Sequence, residues 1–215
     1  MQDTSKGNFI TLEGGEGSGK TTVITALEKW LQENGFKVVK TREPGGIPIA
    51  EKIRSLVLEP EYSEMDARTE ALLYAAARRQ HLVERVFPAL AEGAVVLCDR
   101  FVDSSLAYQG AARGLGMDAV AAVNEFAIEG CMPDLTLMLD VDPEEGIARI
   151  QRAEEREWNR LDNEAARFHS KVHEAYMTLA EKYPSRIKRI DAEQPLEKVF
   201  QDCREKVQNY LNAKN

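Results

Sequence analysis

The chain has 215 residues, of which 43% are hydrophobic and 30% charged, and its formal net charge at pH 7 is −8. This length and composition predict a single globular domain over 1–215 and exclude disorder of the whole chain. The negative charge argues against broad basic contact with nucleic acid, and no apolar run approaches the roughly 20 residues of a membrane span, so we expect a soluble cytoplasmic protein without nucleic-acid or membrane partners.

Apolar runs alternate with segments of helical length along the chain, which is typical of parallel βαβ units. Five strands are predicted, at 9–13, 37–41, 94–99, 135–141 and 186–191. Helices are predicted at 20–33, 48–58, 66–92, 117–129, 143–152, 163–182 and 195–211. This order predicts an α/β fold with an approximately five-stranded parallel sheet flanked by helices.

A glycine-rich loop with the full pattern G-x-x-x-x-G-K-T follows the first strand and precedes an amphipathic helix. In that setting the backbone N–H groups surround phosphate oxygens, Lys20 adds positive charge and Thr21 offers a hydroxyl to Mg²⁺. A turn that merely joins strand to helix would not require lysine and threonine at these positions. We therefore predict that ATP is bound by Gly14, Gly15, Glu16, Gly17, Ser18, Gly19, Lys20, Thr21 and Thr22.

The third predicted strand ends in a carboxylate, Asp99, which this fold class brings to the sheet edge beside the phosphate loop. Asp99 is predicted to hold Mg²⁺ together with Thr21, through water. By itself, an aspartate at a strand end could equally cap the next turn. The adjacent Arg100 favours the metal site, because two opposite charges can serve a metal and a phosphate at once.

The phosphate loop indicates ATP or GTP but not the acceptor, and the guanine-reading sequence [NT]-K-x-D does not occur. Three further motifs resemble those of the thymidylate kinase family: Thr41-Arg-Glu-Pro-Gly-Gly46, Leu73-Tyr-Ala-Ala-Ala-Arg78 and Asp99-Arg-Phe-Val-Asp-Ser-Ser-Leu-Ala-Tyr-Gln109. The resemblance covers nearly the whole chain and includes Asp191-Ala192 after the last strand. The resemblance implies a P-loop kinase fold and Mg²⁺-dependent transfer of the γ-phosphoryl group of ATP to dTMP, giving dTDP and ADP for dTTP biosynthesis. It also implies a homodimer, for which helices 66–92 and 117–129 could supply apolar faces.

The resemblance also assigns residues to the sugar and phosphate of dTMP. Glu16 matches the acid that meets the 3′-hydroxyl, and Arg54 and Arg100 match the guanidinium groups that clamp the phosphate. Tyr108 matches a ring that lies under the deoxyribose and leaves no room for a 2′-hydroxyl. Without the resemblance, Arg54 would be interpreted as an exposed helix residue.

Tyr74 and Arg78 are four residues apart on a predicted helix, so both lie on one face of it. In the family the aromatic ring stacks on thymine and the arginine donates to its O4, which selects thymine over cytosine. Tyr74 stands where the family usually has phenylalanine, and ordinary core packing is the alternative for it. Ser105 matches the hydroxyl that meets the base N3 edge, and Gln109 a neighbouring polar contact.

Residues 151–162 are polar and dense in charge, and we predict a short mobile lid there. Arg149, Arg152, Arg156 and Arg160 would share one helical face. The phosphate loop itself carries no arginine, which resembles the bacterial branch of the family, where the catalytic arginine comes from the lid. We predict Arg156, and next Arg152, as that arginine, and Arg149 as the side chain on adenine. The alternative is a solvated charged face.

Two other functions stay open: a kinase for another nucleoside monophosphate, and a non-catalytic module switched by nucleotide. ADP release with and without each deoxynucleoside monophosphate separates them. His169 and His173 are spaced i, i+4 but lack the glutamate of a metalloprotease helix, so we expect a half-exposed pair and not a zinc site. Cys98, Cys131 and Cys203 are expected to be buried free thiols.

Overall fold

The computed structural model describes residues 7–152 and 166–214. Within these ranges, five strands form one parallel sheet in the order β2-β3-β1-β4-β5. The strands are β1 Asn8–Glu13, β2 Val38–Arg42, β3 Val95–Asp99, β4 Leu135–Asp140 and β5 Ile187–Asp191. The predicted α/β fold with a five-stranded parallel sheet is therefore confirmed, and β1 occupies the centre of the sheet.

Helices connect consecutive strands and cover both faces of the sheet. They are α1 Lys20–Glu33, α2 Pro48–Leu58, α3 Ala67–His81, α4 Phe87–Ala91, α5 Val102–Ser105, α6 Met117–Ile128, α7 Pro143–Arg152, α8 Ala166–Lys182 and α9 Leu196–Lys214. Two π-helical segments, π1 Leu82–Val86 and π2 Leu106–Ala112, continue α3 and α5 without a break. The segment formed by α5 and π2 was not predicted from the sequence.

The long predicted helix 66–92 is present, but π1 interrupts its α-helical pattern. Asp66 caps its start, where the side chain accepts hydrogen bonds from the backbone N–H groups of Arg68 and Thr69 at 3.0 and 3.1 Å. At the C-terminal end of π1, the N–H of Phe87 donates to the carbonyl of Leu82, five residues back. Pro88 follows directly, and it lacks the N–H that would restore the α-helical bond.

Two hydrophobic clusters lie on opposite faces of the sheet. One packs α1 and α9 against the sheet and contains Leu27, Leu137 and Val207. The other packs α8 and the π-helical segments against it and contains Phe9, Phe101 and Tyr176. Because both faces are covered, the three central strands β3, β1 and β4 are buried almost throughout and can present functional groups only at their ends.

The carboxyl ends of the three strands β2, β3 and β1 are tied together by backbone hydrogen bonds. The N–H of Arg100 donates to the carbonyl of Leu12 at 2.9 Å, and the N–H of Glu43 donates to the carbonyl of Asp99 at 2.9 Å. The loops that follow these strands therefore start side by side at one edge of the sheet. This is the edge at which ligands bind in open α/β sheets.

In the described ranges, no helix is both long enough and apolar enough to span a bilayer. The cysteine prediction is confirmed for Cys98 and Cys203, which are free and buried. It is wrong in part for Cys131, which is free but only half-buried, because it lies just beyond the end of α6.

Candidate active site

The glycine-rich loop after β1 has three glycines with positive φ, Gly14, Gly17 and Gly19. Gly17 has a φ of 68°, and a Cβ there would lie 2.0 Å from the carbonyl oxygen of Gly146 on α7. A larger residue would therefore push α7 away from the loop. Because α1 begins at Lys20, the positive end of its helix dipole lies directly after the loop.

Lys20 is buried at the base of this loop. Its Nζ donates hydrogen bonds to the carbonyls of Gly14 and Gly15, at 3.1 and 2.8 Å, and to the Ser18 hydroxyl at 3.1 Å. Burial, and secondarily the charge of Arg100, lowers the pKa of Lys20 to about 8. The ammonium group is therefore still charged at neutral pH, but it is poorly solvated and will gain from an anion placed beside it.

The predicted metal residues lie next to each other. The Thr21 hydroxyl donates to Asp99 Oδ2 at 3.4 Å. The other carboxylate oxygen, Asp99 Oδ1, is buried without a hydrogen-bond partner among residues 7–152 and 166–214. An unpartnered buried carboxylate oxygen beside a hydroxyl and a phosphate loop fits a divalent cation, which prefers oxygen ligands.

Arg100 is held in a fixed position between the phosphate loop and the helical segment α5–π2. Its backbone is left-handed, with a φ of 69°. Its guanidinium group donates to Glu16 Oε1 at 2.6 Å and to the Gly14 carbonyl at 3.1 Å, and it lies 5.1 Å from the centre of the Tyr108 ring. Tyr108 also donates to Glu16 Oε1, at 3.0 Å. The three predicted substrate residues Glu16, Arg100 and Tyr108 are thus in mutual contact.

Glu13, the last residue of β1, supports this arrangement and was not predicted from the sequence. Its carboxylate accepts hydrogen bonds from the Phe101 N–H at 2.7 Å, the Ser104 hydroxyl at 2.6 Å and the Tyr176 hydroxyl at 2.9 Å. Burial, and secondarily repulsion from Asp103, raises the pKa of Glu13 to about 7. The signal in the sequence was an acid at the end of a buried strand that contains Phe9, Ile10 and Leu12.

The predicted base-binding residues line one wall of the same cavity. Tyr74 and Arg78 come from α3, and Ser105, Tyr108 and Gln109 come from the helical segment after β3. The Arg78 Nη1 donates to the Ser105 hydroxyl at 3.1 Å, and the Gln109 side chain donates to Glu70 at 2.8 Å. The alternative for Tyr74, simple core packing, describes only part of its position, because it is buried yet borders the cavity.

The predicted arginines differ in where they lie. Arg54 lines the cavity, and its Nη1 is 3.3 Å from the Pro44 carbonyl. Arg149 also lines the cavity and donates to the Ala192 carbonyl at 2.9 Å. Arg152 does not line it; its side chain is 68% exposed, and its Nη2 lies 3.6 Å from Glu145. Arg156 and Arg160 lie outside the described residues, as does most of the predicted lid.

Four buried residues near Arg78 were also missed: Thr41, Glu43, His81 and Asn124. Glu43 belongs to the motif that follows β2, and His81 lies three residues after Arg78 and therefore on the same face of α3. These positions were the available signals.

The prediction of a half-exposed histidine pair is wrong for His169, which is buried against the Phe168 ring. His173 is partly exposed, as predicted, and its Nε2 lies 2.8 Å from Asp140 Oδ1.

Residues 16–22 of the phosphate loop border one cavity of about 680 Å³, together with Asp99, Arg100 and the predicted base-binding residues, and this volume is typical of small-molecule sites. Its walls run from Thr21 and Asp99 at the phosphate loop to Tyr74 and Gln109 at the far end. A phosphate loop at the central strand of a parallel sheet, opening directly into a second, polar compartment, defines a P-loop kinase that acts on a small acceptor.

Comparisons with known proteins agree with this class. The thymidylate kinase family model matches residues 12–203. The chain is 62% identical over 200 residues to a thymidylate kinase of Clostridium novyi (strain NT), covering 93% of this chain and 98% of that one. It is 61% identical over 208 residues to a thymidylate kinase of Oceanobacillus iheyensis, covering 97% and 92%. A crystal structure of thymidylate kinase from Ehrlichia chaffeensis superposes with a TM-score of 0.76 at 31% identity, over 94% of this chain and 98% of that one.

The chain belongs to the thymidylate kinase family. The predicted P-loop kinase fold, the predicted class of enzyme and the resemblance to bacterial members are confirmed.

Proposed function

We propose that the protein transfers the γ-phosphoryl group of ATP to dTMP, giving dTDP and ADP. The observation that carries this proposal is that one continuous cavity is lined both by the phosphate loop and by Tyr74, Arg78 and Ser105. Two nucleotides placed head to head in such a cavity would bring the acceptor phosphate toward the γ-phosphorus.

In the acceptor compartment, Tyr74 stacks on the thymine ring, and Arg78 donates to thymine O4. Cytosine presents an amino group at that position, so a donor there selects thymine. Ser105 meets the N3 edge of the base, and Gln109 makes a neighbouring polar contact. Tyr108 lies under the deoxyribose and leaves no room for a 2′-hydroxyl.

The sugar and phosphate of dTMP are held nearer the phosphate loop. Glu16 accepts a hydrogen bond from the 3′-hydroxyl, which is consistent with the position of its carboxylate beside Tyr108. Arg100 and Arg54 bind the 5′-phosphate through their planar guanidinium groups. The ion pair between Arg100 and Glu16 keeps both side chains in the cavity in advance of binding.

The donor compartment is formed by Gly14 to Thr22 and by Arg149, which packs on adenine. Thr21 and Asp99 would hold Mg²⁺, which when bound neutralises charge on the β- and γ-phosphate oxygens. Lys20 contributes a further positive charge at the same oxygens. A lid arginine, Arg156 or else Arg152, completes the set.

The reaction is an in-line attack of a dTMP phosphate oxygen on the γ-phosphorus. No general base is required, because the nucleophile is already an anion. Lys20, Arg100 and the lid arginine therefore act by positioning the two phosphates and by stabilising the charge that spreads over the transferring group. Closure of the lid would exclude water, which competes with dTMP as an acceptor.

ADP release from ATP tests this function, measured with dTMP, dUMP, dCMP, dAMP and dGMP in turn and with no acceptor. We expect ADP release to depend on dTMP. The kcat/KM for dCMP should be lower by roughly 100-fold or more, since a mismatched hydrogen bond discriminates strongly. A preference for another monophosphate would indicate a different kinase. Slow release that ignores every acceptor would indicate a nucleotide-switched module.

We also propose that the protein forms a homodimer through α3 and α6, which pack side by side. Phe126 on α6 is 90% exposed, and Leu72 on α3 is 57% exposed. Large apolar side chains at such exposure on neighbouring helices favour burial against a second copy. Sedimentation of the intact protein at micromolar concentration measures the association directly.

A further inference from the structure

The guanidinium group of Arg78 is held by a buried carboxylate on a different loop. Its Nε donates to Glu43 Oε2 at 2.7 Å, and both side chains are only 3% exposed. The second oxygen, Glu43 Oε1, lies 2.8 Å from His81 Nδ1. A carboxylate with a charged donor on one oxygen and an imidazole on the other has little freedom to rotate.

The remaining contacts of Arg78 fix the plane of its guanidinium group. Nη1 donates to the Ser105 hydroxyl at 3.1 Å and also to Asn124 Oδ1, while Nη2 donates to the Phe101 carbonyl at 3.0 Å. An arginine side chain has five N–H groups. Within the described part of the chain, these contacts together with Glu43 use four of them, which leaves one N–H of Nη2.

The loop that carries Glu43 is itself braced. His81 Nε2 lies 2.6 Å from the hydroxyl of Thr41 in β2, so the imidazole joins the end of this strand, just before the loop, to α3. Gly46 has a φ of 79°, and a Cβ there would lie 2.6 Å from the same hydroxyl. The loop therefore packs tightly against the imidazole. Because His81 also contacts Glu43, this packing fixes the position of the Glu43 carboxylate.

We propose that Glu43 is a positioning residue for base recognition: it sets the guanidinium plane of Arg78 so that the remaining N–H points at the O4 of thymine. This inference rests on the proposed function, since it concerns how that acceptor is read. It assigns to Glu43 a contribution to specificity that acts through Arg78. His81 and Thr41 hold Glu43 in turn.

The neutral variant Glu43→Gln tests the role of the carboxylate. Its amide oxygen can accept from Arg78 Nε while its NH₂ group donates to His81 Nδ1, provided that the imidazole proton moves to Nε2 and donates to Thr41. The shape of the cluster can thus persist, but the ion pair becomes a hydrogen bond in which only the donor is charged, which is weaker. Arg78 will then be less firmly oriented.

The probe is 4-thio-dTMP, in which a weakly accepting sulfur replaces thymine O4. In the wild-type protein we expect kcat/KM for this probe to be about 10-fold below that for dTMP, the usual value of one hydrogen bond to a charged group. In Glu43→Gln we expect this penalty to shrink to about 2-fold. The KM for dTMP should rise while the KM for ATP stays within about 2-fold, which a general loss of structure would not produce.

Glu92→Gln is the matched control. It removes the same charge from an exposed pair with Lys37, at the opposite edge of the sheet. Its sulfur penalty should equal that of the wild type. A second variant, Glu43→Asp, keeps the charge but withdraws it by one methylene. If Glu43 acts by positioning Arg78, Glu43→Asp should show a reduced sulfur penalty. If only its charge matters, the penalty should equal that of the wild type.

An unchanged sulfur penalty in Glu43→Gln and Glu43→Asp, with both proteins folded by urea denaturation, would overturn the proposal. If Glu43→Gln does not fold, Glu43→Asp decides alone, and failure of both to fold counts against a role in recognition. A wild-type protein that does not use dTMP refutes the proposed function before any variant is made. An active wild type whose variants keep the full penalty refutes only the positioning role.

Discussion

Replacement of Lys20 by methionine separates the charge of this residue from its packing. Methionine has a similar length and apolar character but cannot approach phosphate as a cation. Lys20 is buried at 8% exposure, so its loss acts on the interior of the phosphate loop and not on a solvated surface. The variant should therefore fold and bind dTMP with nearly unchanged affinity, but it should fail to transfer the phosphoryl group.

The effect on stability follows from the pKa of Lys20, which burial lowers from 10.5 to about 8. This difference makes the charged form unfavourable by about 3 kcal/mol in the folded protein. Because the folded pKa lies below the unfolded one, the penalty develops as the pH falls from 10.5 to 8 and is complete at neutral pH. Methionine escapes it but gives up three hydrogen bonds from a charged donor, of about 1.5 kcal/mol each. The free energy of unfolding should thus change by no more than about 2 kcal/mol.

The effect on turnover is much larger. A lysine charge about 4 Å from a phosphate charge contributes about 4 kcal/mol at the effective dielectric constant of a protein surface. Where that interaction strengthens in the transition state, its loss lowers kcat by about 1,000-fold. Coupled ADP release with dTMP measures kcat, and urea denaturation measures stability on the same preparation.

A third measurement identifies the charge itself. At pH 9, Lys20 of the free protein is mostly neutral, and bound ATP will raise its pKa, so binding should take up about one proton. Calorimetry in two buffers of different ionisation enthalpy reports this uptake, which the variant should lack. The reasoning is refuted if Lys20→Met retains kcat within about 10-fold, or if both proteins take up the same number of protons.

Three further predictions concern other parts of the molecule. The pKa of Glu13 is raised from 4.5 to about 7, so the folded protein binds more protons than the unfolded chain between these values. Wild-type stability should therefore fall by up to about 3 kcal/mol as the pH rises through that range. Urea denaturation at pH 4.5 and 7.5 should show this decrease, and its persistence in Glu13→Gln would contradict the assignment. Asp103→Ala should cost about 3 kcal/mol in the same assay at neutral pH, because it leaves the Arg186 guanidinium without its bidentate partner, and a neutral effect would show that the pair contributes nothing. Phe126→Glu should shift the protein to a monomer in sedimentation without loss of its thermal transition, whereas an unchanged dimer would place the interface elsewhere.

Local pattern was sufficient for much of this protein. The phosphate loop could be predicted from Gly14 to Thr22 because glycine, lysine and threonine at that spacing act within one short stretch of backbone. Tyr74 and Arg78 could be placed together because helical periodicity alone puts residues i and i+4 on one face. The helical segment α5–π2 was missed because it is short and contains Ser104, Ser105 and Gly110, which do not favour helix; tertiary packing forms it instead.

The sequence by itself determined the alternation of strands and helices, the phosphate loop and the family. Only the tertiary structure decided the strand order and the partnerships between residues far apart in the chain, such as Glu43 with His81, 38 positions away, and Glu13 with Tyr176, 163 positions away. The physical reason is that a motif is a property of adjacent residues, whose geometry the backbone constrains directly. A buried carboxylate acquires its partners only when distant segments are packed around it.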